Sequence, residues 1–202
     1  MSFIEIVSQV ITEKVNELET RACPDQYVGK ISKCKTRTDD FYIRDSITNR
    51  PNNIKCLILI LESPHTEEFS SNPCPAKGKT GQQIRKHIDN VIDLSKYKDY
   101  GLILLNAIPY QCSLGLPTQC FRDEIFKIVW NTDGENDFVV RLRNSYRQGD
   151  VIVNCCTKGN GKKELRKMVQ EAIIKMNLEC VTIKRTHPSS WWSDKNRKSA
   201  WK

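Results

Sequence analysis

The sequence lacks the long apolar segments that mark membrane-spanning and secreted proteins. Its longest apolar run extends only from Cys56 to Leu61, far short of the roughly 20 residues that a membrane-spanning helix needs. The first residues contain no basic start followed by an apolar stretch, so we expect no secretory signal. The sequence therefore predicts a cytoplasmic protein that does not enter a membrane and whose thiols are reduced.

The nine cysteines lack the spacing of a metal site. No pair has the spacing C-x-x-C, and only Cys155 and Cys156 are adjacent. The chain has just three histidines, and none forms a cluster with cysteines at zinc-finger spacing. We therefore expect buried structural thiols, no metal and no other cofactor.

Acidic residues are too few to balance the basic ones. Lys and Arg total 32 against 24 Asp and Glu, which gives a net charge of +8. A polyanion such as nucleic acid therefore fits better as a partner than an acidic protein, although many basic chains bind no nucleic acid. At 202 residues, of which 39% are hydrophobic, the chain predicts one domain that folds alone, and we expect a monomer.

Four short apolar runs predict a parallel β-sheet. They cover residues 55–61, 101–105, 150–153 and 179–183. The hydrophobicity within each run is continuous rather than alternating, as in strands that are buried on both faces of a parallel sheet flanked by helices. The sequence therefore predicts an α/β fold with a four-stranded, mainly parallel sheet.

Helical patterns and polar segments complete the expected domain. Apolar residues from Ile4 to Leu18 recur at helical spacing and predict an amphipathic first helix. Thr80 and Gln83 form an expected capping pair for the second helix. The later helical patterns lie at residues 80–92, 121–130, 136–146 and 162–176. We expect a single domain in three parts: an N-terminal helix with an irregular segment (1–53), a core (55–192) and a basic tail (193–202) that is either solvated or grips a DNA strand.

Three predicted strands end next to chemically active side chains. Glu62 follows the first strand, Asn106 follows the second, and His187 follows the fourth. Because ligands bind beyond the carboxyl ends of the strands in an α/β sheet, we expect this carboxylate, amide and imidazole to meet in one site.

The segments that carry these residues resemble motifs of the uracil-DNA glycosylase superfamily over roughly residues 55–192. LESPH at 61–65 and PAKGKTGQQI at 75–84 are similar to the GEAPG and PFVGxAGQLL segments of its iron–sulfur branch. LILLNA at 102–107 and HPS at 187–189 resemble the LLLLNAV strand and the HPSPLS motif of another branch. The resemblance implies a uracil-DNA glycosylase-like fold.

The sequence departs from the family at the iron–sulfur cluster, at the catalytic carboxylate and at the residues that line the base pocket. The cysteines are not at the spacing of the family's iron–sulfur cluster, so we expect no cluster. Ser63 stands where one branch has its catalytic Asp, so the resemblance assigns the carboxylate to Glu62. Ala76 replaces a Phe that stacks on the base, and His65 replaces a Tyr that excludes 5-substituents. Both replacements imply a roomier pocket.

The resemblance implies catalytic roles for three residues. Glu62 would orient or deprotonate a water molecule, and His187 would hydrogen-bond the departing base as negative charge develops on it. Asn106 would bind the edge of the pyrimidine with its donor and acceptor. No lysine occupies a position expected for Schiff-base chemistry, so the implied reaction is hydrolysis without strand cleavage.

The resemblance also implies base-binding and DNA-binding residues. Trp191 falls where the family has a residue that wedges into the DNA, although a pair of core tryptophans is the alternative. The expected base-binding residues are Ser63, His65, Ala76 and Asn106, and the expected DNA contacts are Lys77, Lys79, Ser189, Trp191 and Trp192.

Three functions are compatible with the sequence. The favoured one is a DNA glycosylase that removes a bulky modified pyrimidine, such as glucosylated hydroxymethylcytosine in phage DNA, and leaves an abasic site in antiviral defence. The second is an ordinary uracil-DNA glycosylase in base excision repair. The third is a non-catalytic DNA-binding module on the same fold.

Overall fold

A mixed β-sheet of six strands is the centre of the computed structural model, which describes residues 1–11, 14–36, 39–114 and 121–202. The strands are β1 (Gln26–Lys30), β2 (Asp45–Ser46), β3 (Cys56–Leu61), β4 (Gly101–Asn106), β5 (Val151–Asn154) and β6 (Val181–Lys184). Their order in the sheet is β2-β1-β4-β3-β5-β6. The pairs β3–β4, β3–β5 and β5–β6 are parallel, whereas β1 is antiparallel to both β2 and β4.

The predicted α/β class and the mainly parallel sheet are confirmed, but the prediction of four strands is wrong. The four apolar runs correspond to β3, β4, β5 and β6, with ends that differ by one or two residues. The two additional strands lie in the N-terminal segment, where we expected an irregular connection. β2 has only two residues, and β1 has the sequence QYVGK, so neither contains a run of apolar residues. Gly29 of β1 has φ +93°.

Helices cover both faces of the sheet. They are α1 (Phe3–Val7), α2 (Lys79–His87), α3 (Arg122–Val129), α4 (Glu135–Ser145), α5 (Leu165–Lys175) and α6 (Asp194–Arg197). A π turn, Trp130–Gly134, joins α3 directly to α4. Within the described ranges, no helix combines the length and the apolar character needed to cross a membrane.

Two predictions about helix ends are wrong. The first helix stops at Val7, with Ser8 as its C-cap, and a separate 3₁₀ turn follows at Val15–Glu17. The second helix starts at Lys79, and its N-cap is Gly78, which has no capping side chain. Thr80 is therefore already inside the helix and does not form the expected pair with Gln83.

The alternating side chains of β3 divide the core into two layers. Ile58 and Ile60 pack in a cluster with residues of α1, α3, α4 and α5. Leu57, Leu59 and Leu61 pack on the opposite face with residues of α2. A strand that is buried on both faces needs this continuous run of apolar residues.

The C-terminal segment 193–202 is tied to the domain at its last tryptophan, whereas Asp194, Lys195 and Lys198 are exposed, so the alternatives of a solvated tail and a strand-gripping arm stay predictions. Trp201 is 6% exposed, and its Nε1 donates to the backbone oxygen of Asn154 at 3.2 Å. Arg166 and Lys184 lie over the Trp201 ring at 4.9 and 5.0 Å from its centre. Burial of this ring ties the end of the chain to β5 and β6.

The prediction of buried structural thiols is confirmed for the described cysteines. Seven of these eight thiols are buried, and Cys180 is partly buried. Burial raises the pKa of the Cys56 thiol to about 11 and that of Cys34 to about 12. Thiols with such pKa values stay protonated at neutral pH and are poor nucleophiles.

Candidate functional site

A cavity of about 480 Å³ lies where the four parallel strands end. The loops after β3, β4, β5 and β6 all contribute to its wall, together with the first residues of α2 and α3. This is the position at which α/β sheets bind ligands. Glu62 and His187, two of the three predicted catalytic residues, line it.

Glu62 is the buried carboxylate of this cavity. Its side chain follows β3 directly, and the residue is 3% exposed. Oε2 accepts a hydrogen bond from Thr157 Oγ1, and Oε1 accepts one from Ser63 Oγ at 3.3 Å. Burial raises the pKa of the Glu62 carboxyl, while Arg122 and Thr157 oppose the rise. A carboxyl with a raised pKa is suited to accept a proton near neutral pH.

His187 is held as a neutral imidazole with one defined tautomer. Its Nδ1 accepts from the backbone N–H of Ser189 at 3.3 Å, and Ser189 Oγ lies 2.9 Å from the same atom. Because an accepting ring nitrogen has no hydrogen, the proton of the neutral ring is on Nε2. Burial and the charge of Arg122 lower the pKa of His187 from 6.5 to about 4. The ring is therefore an uncharged donor at pH 7.

Asn106 is buried next to the cavity but does not line it. It ends β4, is 1% exposed and pairs with Leu61 of β3, which does line the cavity. Among the described residues, neither Nδ2 nor Oδ1 of its side chain has a hydrogen-bond partner. A buried amide without partners costs about 1–3 kcal/mol per group. Of the three predicted catalytic residues, Glu62 and His187 line the cavity, and Asn106 lies at the end of the neighbouring strand β4 without lining it.

The loop after β3 is fastened by a second buried carboxylate, Glu68. Its Oε2 accepts from the backbone N–H of His65 at 2.6 Å, and its Oε1 accepts from the backbone N–H of Ala76. Burial raises the pKa of Glu68 to about 7, although both hydrogen bonds lower it. The first contact holds His65 on the cavity wall, and Ser63 lines the same wall.

The prediction that Ala76 lines the base pocket is wrong. Ala76 is completely buried at φ +54° and packs in the core layer beneath α2, away from the cavity wall. Its backbone oxygen is so close to Gly81 that a Cβ there would lie 1.7 Å from it. This tight contact between loop and helix explains why a glycine occurs at position 81.

The two lysines predicted to contact DNA have different surroundings. Lys79 is exposed and lines the cavity at the start of α2. Lys77 does not line the cavity, and its Nζ donates to Ser70 Oγ at 2.9 Å and to Ser71 Oγ at 2.6 Å. Lys77 therefore holds its own loop together in this structure.

Trp191 and Trp192 point in opposite directions. Trp191 is completely buried, and its Nε1 donates to the backbone oxygen of Thr186 at 3.0 Å. The prediction of Trp191 as a DNA wedge is therefore wrong, and the alternative of a core residue applies to it. Trp192 is 67% exposed and lies close in sequence to Ser189, which lines the cavity. Of these two rings, only that of Trp192 is exposed.

Sequence reasoning missed two residues that contact Glu62. Arg122, at the start of α3, lies with its Nε 3.4 Å from Glu62 Oε1, and Thr157 donates from the loop after β5. Neither residue belongs to a motif of the family that the sequence resembles. The one available signal was their position in the chain. Arg122 begins the helix that follows β4, and Thr157 lies in the loop after β5, and both strands end at the same edge of the sheet.

The cavity is lined by side chains that can carry charge or exchange a proton. Among the residues that the structure describes, no group of three or more His, Cys, Asp and Glu side chains is arranged to hold a metal ion. The cavity combines a buried carboxyl, a neutral imidazole and a guanidinium. Compared with protein-family models, with curated proteins and with solved structures, the chain matches none of them.

Proposed function

We propose that the protein is a DNA glycosylase that hydrolyses the bond between a flipped-out pyrimidine and its deoxyribose. One observation carries this proposal: the buried carboxyl of Glu62 and the imidazole of His187, whose Nδ1 accepts a backbone hydrogen bond, line the same cavity. Two titratable groups whose surroundings favour opposite tasks are typical of acid–base sites. The motifs that resemble the uracil-DNA glycosylase superfamily provide Glu62 and His187 in this arrangement.

Glycoside cleavage needs both groups. As the bond between C1′ and the base nitrogen breaks, the electron pair leaves with the base, and the sugar gains oxocarbenium character. His187 Nε2–H donates to the base oxygen on which negative charge accumulates. Glu62 accepts a proton from the water that adds to C1′. The products are an abasic sugar with a hydroxyl at C1′ and a free base that is protonated after it leaves.

The surface around the cavity supports DNA as the partner. Trp192 offers an exposed ring for stacking, Lys79 lies at the cavity, and the net charge is +8. The base must leave the helical stack to reach Glu62, which is buried. The proposal includes action as a monomer in the cytoplasm and a uracil-DNA glycosylase-like fold.

The size of the cavity is compatible with a base that carries a bulky substituent. Its volume of about 480 Å³ lies within the roughly 300–1,000 Å³ that is typical of pockets for drug-sized ligands. Because Ala76 does not line the cavity, this volume and the position of His65 carry the argument for a bulky substituent. We propose glucosylated hydroxymethylcytosine of phage DNA as the substrate, with antiviral defence as the role.

The test is base release from three DNAs: phage DNA with glucosylated hydroxymethylcytosine, DNA with uracil, and unmodified DNA. Abasic sites are measured by alkaline strand cleavage and the free base by mass spectrometry. Release from the phage DNA alone is expected. Release from uracil DNA alone contradicts the proposed substrate and favours a repair enzyme. Binding without release from all three contradicts catalysis and favours a DNA-binding module.

Glu62→Gln tests the catalytic role within the same assay. The change keeps the shape of the side chain and removes its ability to accept a proton, so the rate of base release should fall by about 10²- to 10⁴-fold. DNA affinity should not fall to a comparable extent. Glu124→Gln, at an exposed position of α3, is the matched control and should keep the wild-type rate. A Glu62→Gln enzyme as fast as this control contradicts the assignment.

A further inference from the structure

We propose that Arg122 is the positioning residue of this site: anchored by Asp123, its guanidinium holds the Glu62 carboxylate and places a fixed positive charge beside His187. The inference deepens the proposed glycosylase function and rests on it. Arg122 lines the cavity with 15% of its side chain exposed, and the loop motifs of the sequence do not include it.

Arg122 is itself held in a defined orientation. It is the first residue of α3 and follows Phe121, which has φ +57°. Its Nε and Nη2 donate to Asp123 Oδ1 at 2.9 and 2.8 Å. Two donors on one carboxylate oxygen limit the rotation of the planar guanidinium. The ion pair between Nε and Glu62 Oε1, at 3.4 Å, then forms on a side chain that is already oriented.

Asp123 also connects both sides of the Glu62 carboxylate. Its Oδ2 accepts a hydrogen bond from the backbone N–H of Asn160 and so holds the loop after β5. The same loop contains Thr157, which donates to Glu62 Oε2. One oxygen of Glu62 therefore contacts Arg122, and the other contacts a loop that Asp123 fixes.

Gly159 allows this loop to lie against Asp123. Its φ is +74°, and a Cβ at this position would lie 2.7 Å from Asp123 Oδ2. A side chain would therefore be disfavoured both by the backbone conformation and by the carboxylate. The ring of contacts from Glu62 through Arg122, Asp123 and the loop back to Glu62 is a built feature of the fold.

Arg122 acts on the charge of both catalytic groups in the direction that the reaction needs. Burial raises the pKa of Glu62, and Arg122 is the first influence that opposes it. Burial lowers the pKa of His187, and Arg122 adds to this effect. One cation thus favours an ionised base and a neutral donor together. The other charged or titratable groups that line the cavity or act on Glu62 are His65, Glu67, Glu68, Lys79, Cys112, Asp123 and Cys156.

The experiment compares Arg122→Gln, Arg122→Lys and the matched control Arg143→Gln, which changes an exposed arginine of α4. Base release is measured as kcat and KM between pH 4 and pH 9. The titration of Glu62 and His187 is measured by NMR in the free protein, which needs no substrate. Thermal unfolding of each variant shows whether the protein is folded under the conditions of the assay and of the titration.

Arg122→Gln should lower kcat by about 10²-fold, the typical cost of a misplaced catalytic group, while KM stays near the wild-type value. The acidic limb of the pH profile and both titrations should move to higher pH, because Glu62 and His187 lose the neighbouring cation. Arg122→Lys should restore most of each effect, and Arg143→Gln should match the wild type.

Titrations and a pH profile in Arg122→Gln that equal those of Arg143→Gln overturn the proposal. The NMR titrations also separate this inference from the proposed function. A wild-type protein that is inactive on every DNA, but whose His187 titration moves in Arg122→Gln, refutes the glycosylase and keeps the role of Arg122. If Arg122→Gln does not fold, Arg122→Met, which keeps the length of the side chain and removes its charge, decides by the same criterion.

Discussion

The buried ion pair between Arg50 and Asp150 makes a quantitative prediction about stability. Its side chains are 1% and 0% exposed, and Arg50 Nη1 and Nη2 donate to the two oxygens of Asp150 at 2.7 and 2.9 Å. The same carboxylate accepts from the backbone N–H groups of Cys56 and Arg147 at 2.7 and 2.8 Å. The pair therefore joins the amino ends of β3 and β5, at the edge of the sheet opposite the cavity.

Asp150→Asn should destabilise the fold by about 3–5 kcal/mol, because it leaves the Arg50 charge buried without a counter-charge. For a domain of this size, each kcal/mol lowers the melting temperature by about 2–4 °C, so calorimetry should show a decrease of about 6–20 °C. Glu135→Gln is the matched control, since it breaks an exposed ion pair with Lys175. Pairs of that kind contribute about 0–1 kcal/mol.

A double variant, Arg50→Met with Asp150→Leu, tests the reason for the effect. Replacing both charges by apolar side chains removes the unpaired cation, so this variant should be more stable than Asp150→Asn. Base release at low temperature should be unchanged in Asp150→Asn, since the pair lies at the far end of the strands. A loss of stability below about 1 kcal/mol in Asp150→Asn would refute the reasoning.

Two further predictions concern DNA binding and pH. Trp192→Ala should weaken DNA binding by about 1–3 kcal/mol, or about 5- to 150-fold in Kd, as measured by fluorescence anisotropy; Tyr42→Ala, an exposed ring near β1, should have no such effect. Burial raises the pKa of Glu68 from 4.5 to about 7, so the folded state binds this proton more tightly than the unfolded chain. The contribution of Glu68 to stability should therefore fall by up to about 3 kcal/mol as the pH rises from about 4.5 to about 7. Urea unfolding of Glu68→Gln should lack this pH dependence, and an unchanged pH dependence contradicts the assignment.

The sequence predicts the parts of the fold in which local pattern and burial agree. β3, β4 and β5 are continuous apolar runs because they are covered on both faces, and their ends differ from the prediction by a single residue. β1 and β2 have no such pattern, because β2 has only two residues and β1, with the sequence QYVGK, has only two apolar ones. Their pairing depends on β4, which is distant in sequence, so local periodicity could not reveal it.

The candidate site shows the same division between local and distant information. Glu62 and His187 were predicted because each follows a strand that ends at the same edge of the sheet. Arg122 and Thr157 reach Glu62 only through the folded path of α3 and the loop after β5. A contact of this kind depends on side-chain reach and on a turn at Gly159, and neither is visible as a motif.

Ala76 illustrates why a position in a motif is weaker evidence than a position in space. The resemblance aligns it with a residue that stacks on the base, but its positive φ turns it into the core beneath α2. The argument for a roomy pocket therefore rests on the volume of the cavity and on His65. Substituting Ala76 with a larger residue should change stability rather than substrate choice, because its side chain is completely buried in the core layer beneath α2.

The adjacent residues Trp191 and Trp192 also show that position in space, rather than position in a motif, decides which side chain can contact a partner. The 3₁₀ turn Pro188–Ser190 ends at Trp191, which closes the core layer that contains Leu61 and α2. The next side chain, Trp192, faces outward. A wedge into DNA requires an exposed apolar side chain close to the base pocket. If DNA is the partner, as we propose, the wedge is therefore Trp192, and Trp191 supports the turn that positions His187 and Ser189.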